Sequence, residues 1–192
     1  FDSPPKNWQV STLGEICQEG GGDIQTGPFG SQLHASDYVI SGVPSIMPAN
    51  IKEGRVSEEG IARITEADAR RLSKYLTKAG DIVYSRRGDV ERCALIRKRE
   101  EGWLCGTGSF FIRPPTNTYL AEFLESTLSS QPMRKHLENL SGGAIMPSLS
   151  GTQIKSLRMP LPPIALQRKF VATVNAIKQH FEQQQRHNAE LD

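Results

Sequence analysis

The apolar residues of the segment 1–162 lie in short runs that are broken by glycine and proline. Residues 81–85 and 93–97 have the length and the composition of β-strands. Further strands are predicted at residues 38–48, 102–105 and 109–113. The first thirty residues are rich in turn-forming glycine and proline. Only a short strand or turn, at residues 13–16, is predicted there.

Three segments place apolar residues at the 3.6-residue spacing of an amphipathic helix. The first covers residues 65–78, with Thr65 and Asp68 in the positions of a capping box, and it ends at Gly80. The other two are predicted at residues 119–129 and 130–140. These helices are short, so each covers only part of a sheet face.

Residues 144–162 lack a helical pattern. We predict a polar loop at 144–153 and an extended segment at 154–162, because Pro160 and Pro162 exclude helix. Short strands and short helices together predict an α/β (α+β) fold with a mixed, mostly antiparallel sheet. With 192 residues, the chain is expected to form one such domain, residues 1–162, with an appended element.

The appended element is a helix over residues 163–192. No glycine or proline follows Pro163, and a heptad seam runs over three heptads. The seam consists of Phe170, Val174, Ile177, Phe181, Gln184, Asn188 and Leu191. A helix of about 28 residues is about 42 Å long, so we expect it to protrude as a coiled-coil-type helix and pair with another helix. The alternative is an amphipathic helix that packs on its own domain.

Composition narrows the class of protein. No apolar run is long enough to span a membrane, and no secretory signal is expected. The three cysteines argue against a disulfide framework or a cysteine zinc site, so a reduced, cytoplasmic setting is expected. The net charge is only +2, but residues 86–99 hold six basic and two acidic residues. One basic loop therefore stands out from a weakly acidic chain.

Catalytic signatures are absent from the sequence. It contains no phosphate-binding P-loop, no G-x-S-x-G and no H-E-x-x-H motif. His34 and Asp37 are poor metal-ligand candidates, because the histidines are scattered. Asp81, Asp89 and Glu91 suggest a nuclease, but such carboxylates more often orient arginines or cap turns. We expect no catalytic residue, no metal site and no cofactor of the chain's own.

Three motifs in order carry a resemblance to a known family. The first is Gly27-Pro28-Phe29-Gly30-Ser31-Gln32-Leu33, and the second runs from Gly80 to Gly88. The third runs from Gly142 through Leu149-Ser150 and Pro160-Leu161-Pro162-Pro163 to Gln167-Arg168. Together they resemble one half of the specificity subunit of type I restriction-modification systems. The likeness extends over nearly the whole chain.

The resemblance implies a target recognition domain at residues 1–162 and a spacer or dimerisation helix at 163–192. Such subunits normally carry two of these units in tandem, and their helices pair to set the gap of a split DNA site. The subunit itself is non-catalytic. Modification subunits methylate adenine with S-adenosylmethionine, and a restriction subunit uses ATP. The expected partners are therefore double-stranded DNA, these subunits and a second recognition unit, without a membrane.

The sequence contains one unit where the family has two. The chain is therefore either a fragment or a half-subunit that homodimerises through its helix. Two-fold symmetry in a homodimer would impose a palindromic split site. The heptad seam supports pairing in both cases, so this choice stays open.

The basic loop is the first candidate for reading bases. Arginine bonds guanine in bidentate fashion, and asparagine or glutamine bonds adenine, while lysine and arginine also neutralise phosphates. The candidates in this loop are Ser85, Arg86, Arg87, Asp89 and Arg92, with Gly88 allowing close approach of the backbone. A second group consists of Ser31, Gln32, His34, Asn50 and Lys52. Ser148 and Gln153 are weaker candidates.

Each group of candidates also has an alternative explanation that does not involve DNA. The loop could be a solvated basic hairpin, and the second group could serve turn chemistry, since serine and asparagine bond their own backbone in loops. We predict that Arg86→Ala or Arg87→Ala weakens specific DNA binding and leaves the fold intact. Two other functions stay open from the residues alone: a protein-interaction scaffold without DNA, or a metal-dependent nuclease.

Overall fold

The computed structural model of the chain describes residues 4–88, 92–140 and 148–189, without the side chains of 182 and 185–189. The strands are β1 Gln9–Thr12, β2 Asp23–Thr26, β3 Tyr38–Val39, β4 Val43–Ile46, β5 Ile51–Lys52, β6 Arg55–Val56, β7 Ala62–Ile64, β8 Ile82–Ser85, β9 Cys93–Leu95, β10 Leu104–Cys105, β11 Ser109–Arg113 and β12 Arg158–Leu161. The helices are α1 Leu13–Gly20, α2 Glu66–Arg71, α3 Ala121–Leu128, α4 Gln131–Leu140, α5 Gly151–Lys155 and α6 Ile164–Ala189.

Two four-stranded sheets form the centre of the molecule. One is fully antiparallel, in the order β2-β11-β8-β9. The other, β10-β4-β7-β3, is mixed, because β10 runs parallel to β4. The pairs β1-β12 and β5-β6 complete the fold. The expected mixed, mostly antiparallel α+β fold with a C-terminal helix is confirmed.

Apolar side chains on the two faces of the antiparallel sheet enter different cores. Tyr84, Phe110 and Ile112 pack with helices α1, α3, α4 and α5. Val83 and Phe111 point to the other face and pack with Ile46, Ile51, Val56 and Ala94. This alternation follows from the two-residue period of a strand. The sheet is thus covered on both sides, and its loops are left to face solvent.

The short strand or turn predicted at residues 13–16 is wrong, since these residues begin helix α1. Thr12 caps the helix: its Oγ1 accepts a hydrogen bond from the Glu15 amide at 3.2 Å, and the Glu15 carboxylate accepts one from the Thr12 amide at 2.9 Å. This capping box stabilises the first turn. The helix ends at Gly20 and is capped by Gly21, whose φ of 75° suits glycine.

Two other boundaries differ from the sequence prediction. The helix predicted at 65–78 has the expected cap, with Thr65 Oγ1 accepting from the Asp68 amide at 3.0 Å, but it ends at Arg71 and is followed by a 3₁₀ turn. Helix α5 occupies residues that were predicted to be a loop and an extended segment. Ser150 and Gln153 form its capping box. The extended segment begins only at β12.

Close backbone contact explains part of the glycine-rich motif near residue 27. A Cβ atom on Gly27 would lie 2.1 Å from the carbonyl oxygen of Gly106. The Gly27 amide also donates a hydrogen bond to the Ser109 carbonyl at 2.9 Å. Only glycine fits between these strands, so Gly27 fixes the loop that follows β2 against the loop that precedes β11.

Helix α6 joins the rest of the protein at Gln167, which is fully buried. Its Oε1 accepts a hydrogen bond from the Leu120 amide, and its Nε2 donates to the carbonyls of Thr118 and Pro162, all at 2.9 Å. The Phe170 ring then packs nearly perpendicular to the Phe123 ring, at a centroid distance of 5.3 Å. These contacts attach the first two turns of α6 to the residues at the start of α3.

None of the helices in the described part of the chain is long and apolar enough to cross a membrane.

Candidate nucleic-acid interface

The basic loop joins β8 to β9, and Arg86 fastens it to two other loops. The Arg86 amide donates to the Gly108 carbonyl at 2.8 Å, and its own carbonyl accepts from the Leu149 amide at 2.9 Å. Its half-buried side chain donates from Nε to the Leu149 carbonyl at 3.0 Å. Arg86 therefore has a structural contact that the sequence could not reveal.

The next residues of the loop face solvent. Arg87 is exposed and pairs with Ser148 through an isolated antiparallel bridge. Gly88 has a φ of 74° and open space where a Cβ would lie. Arg92, also exposed, donates from Nη1 to the Pro48 carbonyl at 3.4 Å. These residues can reach a large ligand without rearrangement of the core.

Ser85 and Asp89 stand differently from the exposed arginines. Ser85 is fully buried, and its Oγ donates a hydrogen bond to the Arg87 carbonyl at 2.9 Å. The buried Ser85 hydroxyl therefore supports the backbone of the loop at Arg87. Asp89 lies outside the described residues, so its predicted role stays a prediction.

A second loop lies next to the basic loop. Thr107 Oγ1 donates to the Pro28 carbonyl at 3.0 Å, and residue 108 is bonded to Arg86. Phe29 is 60% exposed at the tip of this loop, and Ser31 beside it is also exposed. Sequence reasoning missed Phe29 and Thr107, because nothing in the local pattern distinguishes an exposed phenylalanine from a core residue.

The Gln32 side chain and the His34 backbone form hydrogen bonds with other residues of the protein. Gln32 Oε1 accepts hydrogen bonds from Tyr75 Oη at 2.9 Å and from the Phe29 amide at 3.3 Å. The His34 amide donates to the Asp37 carboxylate at 2.7 Å, while the His34 side chain stays 60% exposed. The imidazole can therefore meet a ligand, whereas the carbonyl end of the Gln32 amide is occupied.

Asn50 and Lys52 have structural partners. Asn50 is buried, its Oδ1 accepts from the Met47 amide at 3.1 Å, and its Nδ2 donates to the Ser57 carbonyl at 3.4 Å. These are the contacts expected of turn chemistry. The exposed Lys52 forms an ion pair with Glu59 at 2.7 Å. Of the weaker candidates, Ser148 lies beside Arg87, and Gln153 caps α5.

The carboxylate of Asp81 is engaged inside the protein. Only 1% of its side chain is exposed, and it forms a bidentate ion pair with Arg113. In residues 4–88, 92–140 and 148–189, no group of three or more histidine, cysteine or acidic side chains is placed to hold a metal ion. Burial raises the pKa of the Cys17 thiol to about 11 and of the Cys93 thiol to about 12.

The seam of helix α6 is partly exposed. Phe170, Ile177 and Phe181 have exposed fractions of 42%, 52% and 61%, and Leu166 is 43% exposed beside them. Val174 is half-buried, and both Val174 and Phe181 line the space between the helix and the body, while Gln184 is exposed. The side chain of Asn188 and all of Leu191 lie outside the described residues. An apolar stripe along one side of the helix is therefore open to a partner.

An open groove of about 1010 Å³ separates the middle of α6 from the body. Its other walls are α3, β9 and the β5-β6 hairpin. Six basic and three acidic residues line it: Lys52, Arg55, Arg92, Arg97, Arg134 and Lys178, with Glu53, Glu122 and Glu125. Burial raises the pKa of Glu125, and the charges of Lys178, Arg97 and Arg134 oppose this rise. The groove is basic overall.

Comparison with known proteins gives a consistent result. A family model described as the type I restriction modification DNA specificity domain matches residues 5–192. The specificity subunit of the type I restriction enzyme MjaIX from Methanocaldococcus jannaschii is 22% identical over 190 residues, covering 98% of this chain and 42% of that protein.

Solved structures share the fold. The HsdS subunit of Thermoanaerobacter tengcongensis matches with a TM-score of 0.66 and 21% identity, over 96% of this chain and 40% of that one. A chain from a structure of a type I R-M system matches with a TM-score of 0.67 and 22% identity, over 98% of this chain and 42% of that one. The chain thus spans about two-fifths of the length of these relatives.

Proposed function

The chain belongs to the type I restriction modification DNA specificity family, and on this basis we propose that it reads one half of a split DNA site. The family assignment confirms the resemblance seen in the three sequence motifs. Specificity subunits of this family are non-catalytic, so the chemistry is left to partner proteins. Modification subunits that use S-adenosylmethionine and a restriction subunit that uses ATP are the partners we expect.

The observation that carries this proposal is the arrangement of the loop between β8 and β9. Arg86 fastens the loop to the protein, and Arg87 and Arg92 extend into solvent on either side of the segment that follows Gly88. An anchored Arg86 backbone beside exposed guanidinium groups suits direct readout, because a bidentate bond to guanine depends on orientation. The neighbouring loop with Ser31 and the exposed Phe29 enlarges the same surface.

Arg87→Ala should weaken recognition of the target site and preserve the fold. Loss of one arginine–guanine pair removes about 1–3 kcal/mol of discrimination, which is roughly a 5- to 150-fold effect. The measurement is adenine methylation at target sites by the assembled methyltransferase, read by single-molecule sequencing of plasmid DNA. Arg70→Ala, an exposed arginine on α2, is the control.

Unchanged site preference and unchanged methylation in Arg87→Ala would reject this loop as the reader. Arg86→Ala is expected to weaken recognition as well. Its effect also includes a looser loop, because the bond from Nε to Leu149 is lost. Arg87 is therefore the cleaner test of base contact, and thermal melting of both variants separates the two causes.

We further propose that α6 pairs with the helix of a second recognition unit, in tandem or in a homodimer. The chain spans 42% of the length of a longer specificity subunit, and the exposed stripe with Phe170, Ile177 and Phe181 gives the helix an apolar face. Pairing would hold two reading surfaces at a fixed separation, since a helix of 26 residues is about 39 Å long.

Phe181→Glu should disrupt this pairing. A charge buried in an apolar seam without a partner costs several kcal/mol, so we expect the dissociation constant of the pair to rise about 100-fold. Sedimentation velocity of the purified protein measures the effect, with Gln179→Glu as a control that adds the same charge to an exposed position of α6. If the parent is a dimer and Phe181→Glu sediments with the same mass, pairing through the seam is wrong.

A further inference from the structure

The basic groove between α6 and the body continues from the basic loop between β8 and β9. Strand β9 forms one side of the groove, from Arg92, at the end of the loop, to Arg97 just beyond the strand. Lys178 approaches from the opposite wall, on α6, and Arg134 from α4. A ligand that leaves the loop along β9 therefore meets basic side chains from three separate elements.

The charges of the groove favour an anion. Six of its lining residues are basic and three are acidic. Of the basic residues, Lys52 is engaged by Glu59, which lies outside the lining. Arg92 donates to the Pro48 carbonyl, and Arg134 donates from Nε to the Ser129 carbonyl at 2.8 Å. Glu125, whose pKa burial raises against the opposing charges of Lys178, Arg97 and Arg134, is half-buried in the wall. The exposed basic groups Arg97 and Lys178 are left facing the open space.

We propose that this groove holds the sugar-phosphate backbone of the DNA next to the half-site, as a contact that is separate from base reading. The inference rests on the proposed function. Arg92 belongs both to the reading loop and to the groove, so a duplex bound at the loop has a continuous path of positive charge. The groove volume of about 1010 Å³ leaves room for a backbone segment.

Phosphate contacts have a recognisable energetic signature. Lysine and arginine that neutralise phosphates release counterions, so the binding constant falls steeply with salt and does not depend on sequence. Lys178 gives helix α6 a direct part in this contact. The helix is then more than a spacer, because the direction in which it leaves the body also sets the path of the bound DNA.

The test uses the purified protein and a fluorescein-labelled duplex of random sequence. Anisotropy titrations between about 50 and 200 mM salt give the slope of log K against log salt. We compare the double variant Arg97→Gln/Lys178→Gln with Arg70→Gln/Lys74→Gln, which removes one exposed arginine and one exposed lysine outside the groove lining. Circular dichroism melts show that both variants fold.

The groove variant should have a slope shallower by about 2 and bind about tenfold more weakly at the low end of the salt range. The control should match the parent. If the parent binds and the groove variant keeps the parental slope, the proposed groove contact is wrong. This result would not bear on the proposal that the basic loop reads bases. If the groove variant binds DNA normally but no longer assembles with the modification subunits, the groove belongs to a protein partner and the proposal is overturned. A parent protein that binds no duplex overturns the groove contact, whereas the proposed function is tested separately by methylation at target sites with the assembled methyltransferase.

Discussion

Asp81→Asn should lower the free energy of unfolding by about 3 kcal/mol, because it leaves the Arg113 guanidinium without a counter-charge inside the protein. The Asp81 oxygens accept hydrogen bonds from Arg113 Nε at 2.8 Å and Nη2 at 2.7 Å, and Oδ2 also accepts from the Lys78 amide at 2.8 Å. Only 1% of the Asp81 side chain and 25% of the Arg113 side chain are exposed. An asparagine keeps one acceptor oxygen and turns an NH₂ group toward the arginine.

Chemical denaturation measures this change, and two comparisons sharpen it. Glu59→Gln breaks the exposed ion pair with Lys52 and should leave the denaturation midpoint close to that of the parent. The double variant Asp81→Asn/Arg113→Met should recover part of the lost stability, because it removes the uncompensated charge. A midpoint for Asp81→Asn equal to that of the parent would show that the buried pair contributes nothing net.

Gln167→Leu should lower the free energy of unfolding by a similar amount, about 3 kcal/mol, and loosen the joint between α6 and the body. Leucine fills comparable space but leaves the Leu120 amide and the carbonyls of Thr118 and Pro162 without partners. Each buried backbone group left unsatisfied costs about 1–3 kcal/mol. The position is fully buried, so water cannot replace the amide without rearrangement.

Hydrogen exchange at the Leu120 amide is the most direct measurement, since this amide should lose protection in Gln167→Leu. Gln167→Glu is an informative second variant, because it keeps the acceptor for Leu120 and loses both donors. Gln179→Leu, at an exposed position of the same helix, is the control for a change in helix propensity. Unchanged protection of Leu120 together with an unchanged melting temperature would contradict a role for Gln167 in the joint.

Local sequence signals predicted the regular elements where the signal is strong. The strands at residues 82–85, 93–95 and 109–113 lie within the predicted segments, because apolar β-branched and aromatic runs suit a covered sheet. Helix α1 was missed although Thr12 and Glu15 form a capping box that is visible in the sequence. Helix α5 has the same signal in Ser150 and Gln153. In both segments the neighbouring turn-forming residues favour a loop, and the cap alone does not outweigh them.

The candidate site was less predictable than the fold. Arg86 and Arg87 are adjacent and chemically identical, yet one is fastened to Leu149 and the other is exposed. Asn50 has the residue type of a base reader, but its amide is bonded to the backbone of the turn. No sequence pattern links the groove residues Arg97 and Lys178, because they lie far apart along the chain. Each of these outcomes depends on contacts between distant parts of the chain.

The sequence by itself determined the mixed α+β class, the long C-terminal helix and the family, because these follow from the period of apolar residues and from short motifs within a few residues of each other. Only the tertiary structure decided that Arg86 is bonded to the body while Arg87 is exposed, and that a basic groove continues from the basic loop along β9. The physical reason is that burial and hydrogen bonding of a side chain are set by its neighbours in space. For Arg86 the decisive neighbour is Leu149, 63 positions further along the chain.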